Sequence, residues 1–361
     1  MDDENATTGQ PIEERPHGEV ARHPARPSLG PASRPLVIAH RGASGYRPEH
    51  SRAAYELAFA MGADAVEPDI VPTRDGVLVL RHENEISGTT DVAEHPEFAS
   101  RRATKTIDGI ALTGWFTEDF TWAELSTLRV RERLPKLRDA STTFDGADGI
   151  LRLTDLLAML DAAGRPVGLV AEIKHAAYFE SIGLPLDELF AAELRQAGWA
   201  NDERLTVESF ELDVLHLIRG RGIRASYVYL VEASGAPADR VARDGDAARA
   251  YADDVTPNGL AELALLVDGI SVDKRMLLRA DADGNTLGLG TIVERAHAHG
   301  LTVFCWTLRA ENRFLGKNLR RPGGAARWGN WLEEFQLILS SGIDGVFADQ
   351  PDLAIEARAR L

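Results

Sequence analysis

Eight short apolar runs recur along this 361-residue chain, near 36–40, 65–70, 168–174, 204–210, 224–230, 269–273, 301–307 and 345–349. No other feature constrains the fold as tightly. Leu36-Val37-Ile38-Ala39 is apolar at every position, and Val303-Phe304-Cys305-Trp306 repeats the pattern. Continuous rather than alternating apolarity marks strands covered on both faces, as in parallel sheets wrapped by helices. Segments of helical spacing separate most of the runs. Between Pro48 and Met61, Ala54, Leu57, Ala58 and Met61 form one stripe that Gly62 stops. Pro185 to Gln196, Glu211 to Arg219, Thr291 to His299 and Trp331 to Ser341 read the same way. Strand and helix alternating eight times predict an α/β fold, the (β/α)8 TIM barrel.

Two segments fall outside that alternation. Residues 1–34 are polar, proline-rich and aperiodic, which predicts a disordered N-terminal tail. Residues of about 85–150 are mixed and turn-rich, which predicts a small insertion between the second and third barrel strands of a 35–361 domain. Removing both leaves about 260 residues, close to the ~250 typical of the barrel.

Composition narrows the partners. A net charge of −16 disfavours non-specific binding to nucleic acid or anionic membranes. No stretch reaches the roughly 18 apolar residues of a membrane span. The N-terminus lacks a basic-then-apolar leader, so the expectation is a cytoplasmic protein. The single cysteine, Cys305, lies in an apolar run and reads as a core residue. Nothing in the sequence speaks to oligomeric state.

The chemistry concentrates at 36–84. The first strand delivers His40-Arg41-Gly42 at its end. Ala65 to Ile70 carries Glu67 and Asp69, two apart and so on one face of a strand. Val77-Leu78-Val79-Leu80 ends in Arg81-His82. A strand-end histidine is commonly structural, and a Glu-x-Asp pair is commonly a solvated face. Collected on apolar strands they suit a site. Arg41 offers a bidentate grip on an anion, the carboxylates offer hard oxygen ligands, and His40 and His82 can exchange protons near neutrality. Farther on, Val167 to Lys174 places Glu172 and Lys174 on one face at the end of a buried strand, which is costly unless they are paired or metal-bound.

His40-Arg41-Gly42-Ala43, Pro48-Glu49-His50-Ser51, Glu67-Pro68-Asp69, Thr73-Arg74-Asp75-Gly76 and Val79-Leu80-Arg81-His82 together resemble the glycerophosphodiester phosphodiesterase family, long bacterial type. The resemblance extends from 36 to 353. It implies hydrolysis of a small-molecule glycerophosphodiester to glycerol 3-phosphate and an alcohol. It further implies one divalent cation, Mg2+ or Ca2+, on Glu67, Asp69 and Glu172. His40 and His82 would be the acid–base pair, Arg41 and Lys174 would hold the phosphate, and Phe210 and Trp306 would line the substrate site. Some details depart from the family. Ser51 stands for a usual threonine, Glu83 for an aspartate, and Glu208 for a glutamine before Ser209-Phe210. Which histidine is the acid stays open, as does water against an internal glycerol hydroxyl as nucleophile. Two alternatives stand beside this reading: a lysophospholipase D or cyclising phosphodiesterase on the same barrel, and a catalytically silent phosphodiester-binding protein.

Overall fold

The computed structural model describes residues 34–361, so the expected N-terminal tail lies outside the described residues apart from Arg34. Eight parallel strands close on themselves: β1 Leu36–His40, β2 Ala65–Glu67 resuming as Asp69–Pro72, β3 Gly168–Ile173, β4 Leu205–Ser209, β5 Ser226–Val231, β6 Gly269–Asp273, β7 Thr302–Leu308 and β8 Gly345–Ala348. Each pairs in parallel with its sequence neighbour, and β1 pairs with β8, from Leu36 opposite Gly345 to Ala39 opposite Ala348. This is the TIM barrel that the alternating pattern predicts. The expected 224–230 run begins two residues late, because the Arg224 N–H is bonded to the Ala200 carbonyl in the loop that leads into β4.

Alternation along each strand sorts the core. Outward residues such as Val37, Ala39, Val66, Leu169 and Val207 pack under the helices in the main apolar cluster. Inward residues Ile38, Ala65, Val170, Val228, Phe304 and Phe347 form a second, smaller cluster inside the barrel. That interior layer is a floor. Two residues farther along, the inward positions turn polar on β1, β2, β3 and β8.

Local chemistry fixes how β1 turns over. The helix Arg52–Met61 starts where the Ser51 hydroxyl accepts the Ala54 N–H, and it ends on Gly62 with φ 86°. Gly42 has φ 82°, and a Cβ there would lie 2.7 Å from the Ala54 carbonyl carbon. Only glycine lets the strand end fold this tightly against the helix. Arg41 before it is held at φ 58°, a strained conformation for a side-chain-bearing residue.

The returning strand Leu78–Leu80 is antiparallel to Ile70–Pro72 and extends the sheet without joining the barrel. Beyond it come a hairpin, Ala103–Ile107 with Ile110–Gly114, several 3-10 turns and the short helix Trp122–Leu125, capped reciprocally by Thr121 and Glu124. A second hairpin, Leu278–Ala280 with Thr286–Leu289, follows β6 and had no counterpart in the sequence reading. Among the described residues no helix is long and apolar enough to cross a membrane.

Candidate active site

The polar layer above the barrel floor builds the site. Ile38 points inward, so His40 does too. Ala65 is followed inward by Glu67 and, past the break at Pro68, Asp69; Val170 by Glu172 and Lys174; Phe347 by Asp349. Pro68 has no N–H for the ladder and divides β2, yet both carboxylates stay on the inner side. A cavity of about 770 Å³ opens over this layer, with His40, Arg41, Glu67, His82, Glu172 and Lys174 in its wall.

Glu67, Asp69 and Glu172 converge, with one oxygen of each within 4.8 Å of the others. All three are buried. Glu67 Oε2 accepts the Arg41 N–H at 2.9 Å, but Glu67 Oε1 and Asp69 Oδ1 have no hydrogen-bond donor. Burial and the neighbouring charges of Asp69 and Glu172 push the Glu67 carboxyl well above the usual range. Glu172 is pushed to about 8, by burial foremost, even though Lys174 Nζ lies 2.7 Å from its Oε1. Three buried carboxylates, two of whose oxygens have no hydrogen-bond donor, fit a hard divalent cation, for which oxygen is the preferred donor.

Each histidine is held through Nδ1. His40 Nδ1 lies 2.6 Å from Asp349 Oδ1, and His82 Nδ1 lies 2.5 Å from Glu83 Oε1. Burial and the Arg41 charge lower His40 to about 4; burial, Arg41 and Lys174 lower His82 to about 3. Both rings are therefore neutral near pH 7. With Nδ1–H donated to a carboxylate, Nε2 is left with a lone pair. Arg41 reaches Glu49 at 3.0 Å and Asp69 at 3.1 Å. Phe210 sits just past β4, with Lys174 Nζ 5.5 Å from its ring centre, and meets Trp306 edge-on at 5.7 Å. All nine site residues proposed from the sequence thus gather at the C-terminal mouth of the barrel, where barrel enzymes carry their chemistry.

Residues 40–353 match the model of the Glycerophosphoryl diester phosphodiesterase family. The chain belongs to this family. A glycerophosphodiester phosphodiesterase of Arabidopsis thaliana, GDPD6, is 30% identical over 91% of this chain and 87% of its own length. The Treponema pallidum glycerophosphodiester phosphodiesterase is 25% identical over 91% of this chain and 92% of its own. Two solved structures share the fold. One is a glycerophosphoryl diester phosphodiesterase assigned in Silicibacter pomeroyi (TM-score 0.63, 20% identity, 91% of this chain and 94% of that one). The other is an Oleispira antarctica phosphodiesterase in complex with the product sn-glycerol-3-phosphate (TM-score 0.57, 21% identity, 90% and 96%).

In this phosphodiesterase, several site residues had no role in the sequence reading. His50 is fully buried and bridges Asp69 Oδ2 at 3.0 Å to the Tyr55 hydroxyl at 2.9 Å. Glu49 pairs with Arg41 and with Arg133 from the region between β2 and β3. Asp349 carries His40, Arg138 and Arg309. Asp349 was legible, because it stands two past Phe347 as His40 stands two past Ile38. Glu208, singled out in the sequence as a carboxylate where the family has a glutamine, faces Glu172 across β3 and β4, is buried, and leaves Oε2 without a donor. Burial and the Glu172 and Asp69 charges push its carboxyl well up. His175, at φ 53°, pairs with Asp108 at the hairpin tip, 2.6 Å away.

Proposed function

We propose that this chain hydrolyses glycerophosphodiesters to glycerol 3-phosphate and an alcohol, with Glu67, Asp69 and Glu172 holding one divalent cation, Mg2+ or Ca2+, and His40 and His82 moving the protons. The observation that carries this is the meeting of three buried carboxylates, two of their oxygens without a hydrogen-bond donor, with two histidines whose Nε2 atoms are free to act. The Oleispira relative, bound to sn-glycerol-3-phosphate, supports the same product class here.

A cation in this cluster would supply positive charge for the phosphoryl oxygens as the P–O bond breaks. The rest belongs to the chain. Arg41 is pinned by Glu49 and Asp69, so its fork is set before substrate arrives. Lys174 adds a second positive side chain, 2.7 Å from Glu172 Oε1 and 3.7 Å from Asp69 Oδ1. The anionic diester raises the proton affinity of whichever imidazole it approaches, so that ring becomes the acid for the leaving alkoxide. The other, kept neutral, accepts the proton of the nucleophile.

One feature favours a larger alcohol as a second reading. The cavity runs outward from the histidines past Ile110, Leu230, Val241 and Tyr251, an apolar wall that suits a lysophospholipid or another bulky diester. The test is release of glycerol 3-phosphate from glycerophosphocholine, glycerophosphoglycerol and a lysophospholipid, with chelator and after Mg2+ or Ca2+ is restored. The proposal expects chelation to abolish turnover and the cation to restore it. Full turnover in the metal-free protein would remove the cation from the account.

A further inference from the structure

The stretch from Arg131 to Arg138 follows no periodic pattern, yet it sends one arginine to each histidine. Arg133 grips Glu83 with two bonds, 2.9 and 2.6 Å, and Glu49 with two more, 2.7 and 2.6 Å. Glu83 Oε1 is the atom that holds His82 Nδ1. Arg138 donates to Asp349 Oδ2 at 2.5 Å, to Glu311 at 2.8 Å and to the Ser44 carbonyl at 3.0 Å. Asp349 Oδ1 is the atom that holds His40 Nδ1. Within that connection the stretch is braced by the Arg131 N–H on Thr89 O at 2.9 Å and the Glu132 N–H on Asp145 at 2.7 Å.

We propose that Arg133 and Arg138 are positioning residues, and that one connection between β2 and β3 sets the orientation of both histidines through matching arginine–carboxylate–imidazole chains. The inference rests on the acid–base reading of His40 and His82. A carboxylate bonded only to an imidazole can turn about its own side-chain torsion, and the ring turns with it. A guanidinium fork on the same carboxylate fixes its plane, and so fixes which ring nitrogen carries the proton and where Nε2 points. The two chains differ in redundancy. Asp349 also receives Arg309 at 2.7 Å, whereas Glu83 shares its charge-assisted bonds with Arg133 and His82. Loss of Arg133 is therefore the more damaging.

The experiment is a pair of mutant cycles on glycerophosphocholine turnover at saturating substrate, with Mg2+ or Ca2+ present. Arg133→Gln should lower kcat by roughly 10- to 100-fold, the usual cost of losing such an outer partner, and Arg138→Gln by less. In a His82→Ala background Arg133→Gln should cost nothing further, within about twofold. In a His40→Ala background it should cost its full amount, and Arg138→Gln should show the reverse pairing. A residue that only braces the fold would lower kcat equally in both backgrounds, which would overturn the inference. Because Arg133 also pairs with buried Glu49, Glu83→Gln provides a second probe. It breaks the chain to His82 and leaves the Arg133–Glu49 pair, and it must show the same background dependence. If the histidine variants themselves keep full activity, the acid–base reading fails. If they lose activity but the arginine losses ignore the background, the positioning role alone fails.

Discussion

Replacing Glu67 by glutamine should stabilise the cation-free protein while removing its response to cations. In the cation-free cluster, like charges 4.8 Å apart repel by about 3 kcal/mol at an effective dielectric of about 20. Taking up a proton gives the protein another way out. For a carboxyl of ordinary value 4.5, protonation at pH 7 costs about 3 kcal/mol. Both routes set the strain near 3 kcal/mol, and glutamine removes most of it. The amide oxygen can still accept the Arg41 N–H that Glu67 Oε2 now takes, and the NH2 can donate toward Asp69 and Glu172. At roughly 2 °C per kcal/mol for a chain of this length, the cation-free variant should melt up to about 6 °C above wild type. The sign with pH is fixed. Glu67 titrates above its unfolded value, so the native state binds the extra proton and wild-type stability falls as pH rises through the folded value. The advantage of the variant should thus be larger at pH 7–8 than at pH 5. Thermal unfolding with and without Mg2+ or Ca2+ reads both effects. A variant that melts lower than wild type without cation, yet still gains stability from it, would refute the reasoning.

Glu208→Gln copies the neutral form that burial and the Glu172 and Asp69 charges favour, so kcat should stay within about threefold and cation affinity should hold. A drop in affinity of about 10-fold or more would instead make Glu208 a ligand. Arg41→Lys keeps the charge but cannot span Glu49 and Asp69 while facing the phosphate, so kcat/KM should fall roughly 10- to 100-fold with the circular dichroism unchanged.

The barrel was legible because its strands are buried on both faces and read as unbroken apolar runs, and because Gly62 marks the end of the first helix openly. Glu67, Asp69, Glu172 and Lys174 were legible for a related reason: a charged residue at the end of an apolar strand demands a partner. What stayed hidden depends on where the irregular chain between β2 and β3 returns. Arg133 and Arg138 sit among six charged residues within 131–139, and nothing in that spacing tells a solvated loop from two arginines reaching Glu83 and Asp349. His50 was visible as a letter in a motif, but its burial under Asp69 needed the left-handed turn at φ 58° that the sequence does not announce.

In the proposed function His40 and His82 move the protons of diester hydrolysis in this cavity. The most direct measurement is kcat for wild type, His40→Ala and His82→Ala on two substrates: glycerophosphocholine, and a nitrophenyl phosphodiester whose alcohol leaves without protonation. Each variant should lose roughly 10²–10⁴-fold on glycerophosphocholine. On the nitrophenyl diester one variant should recover most of its rate and the other should not, and the recovered position is the acid. Undiminished turnover of glycerophosphocholine by either variant would contradict the account.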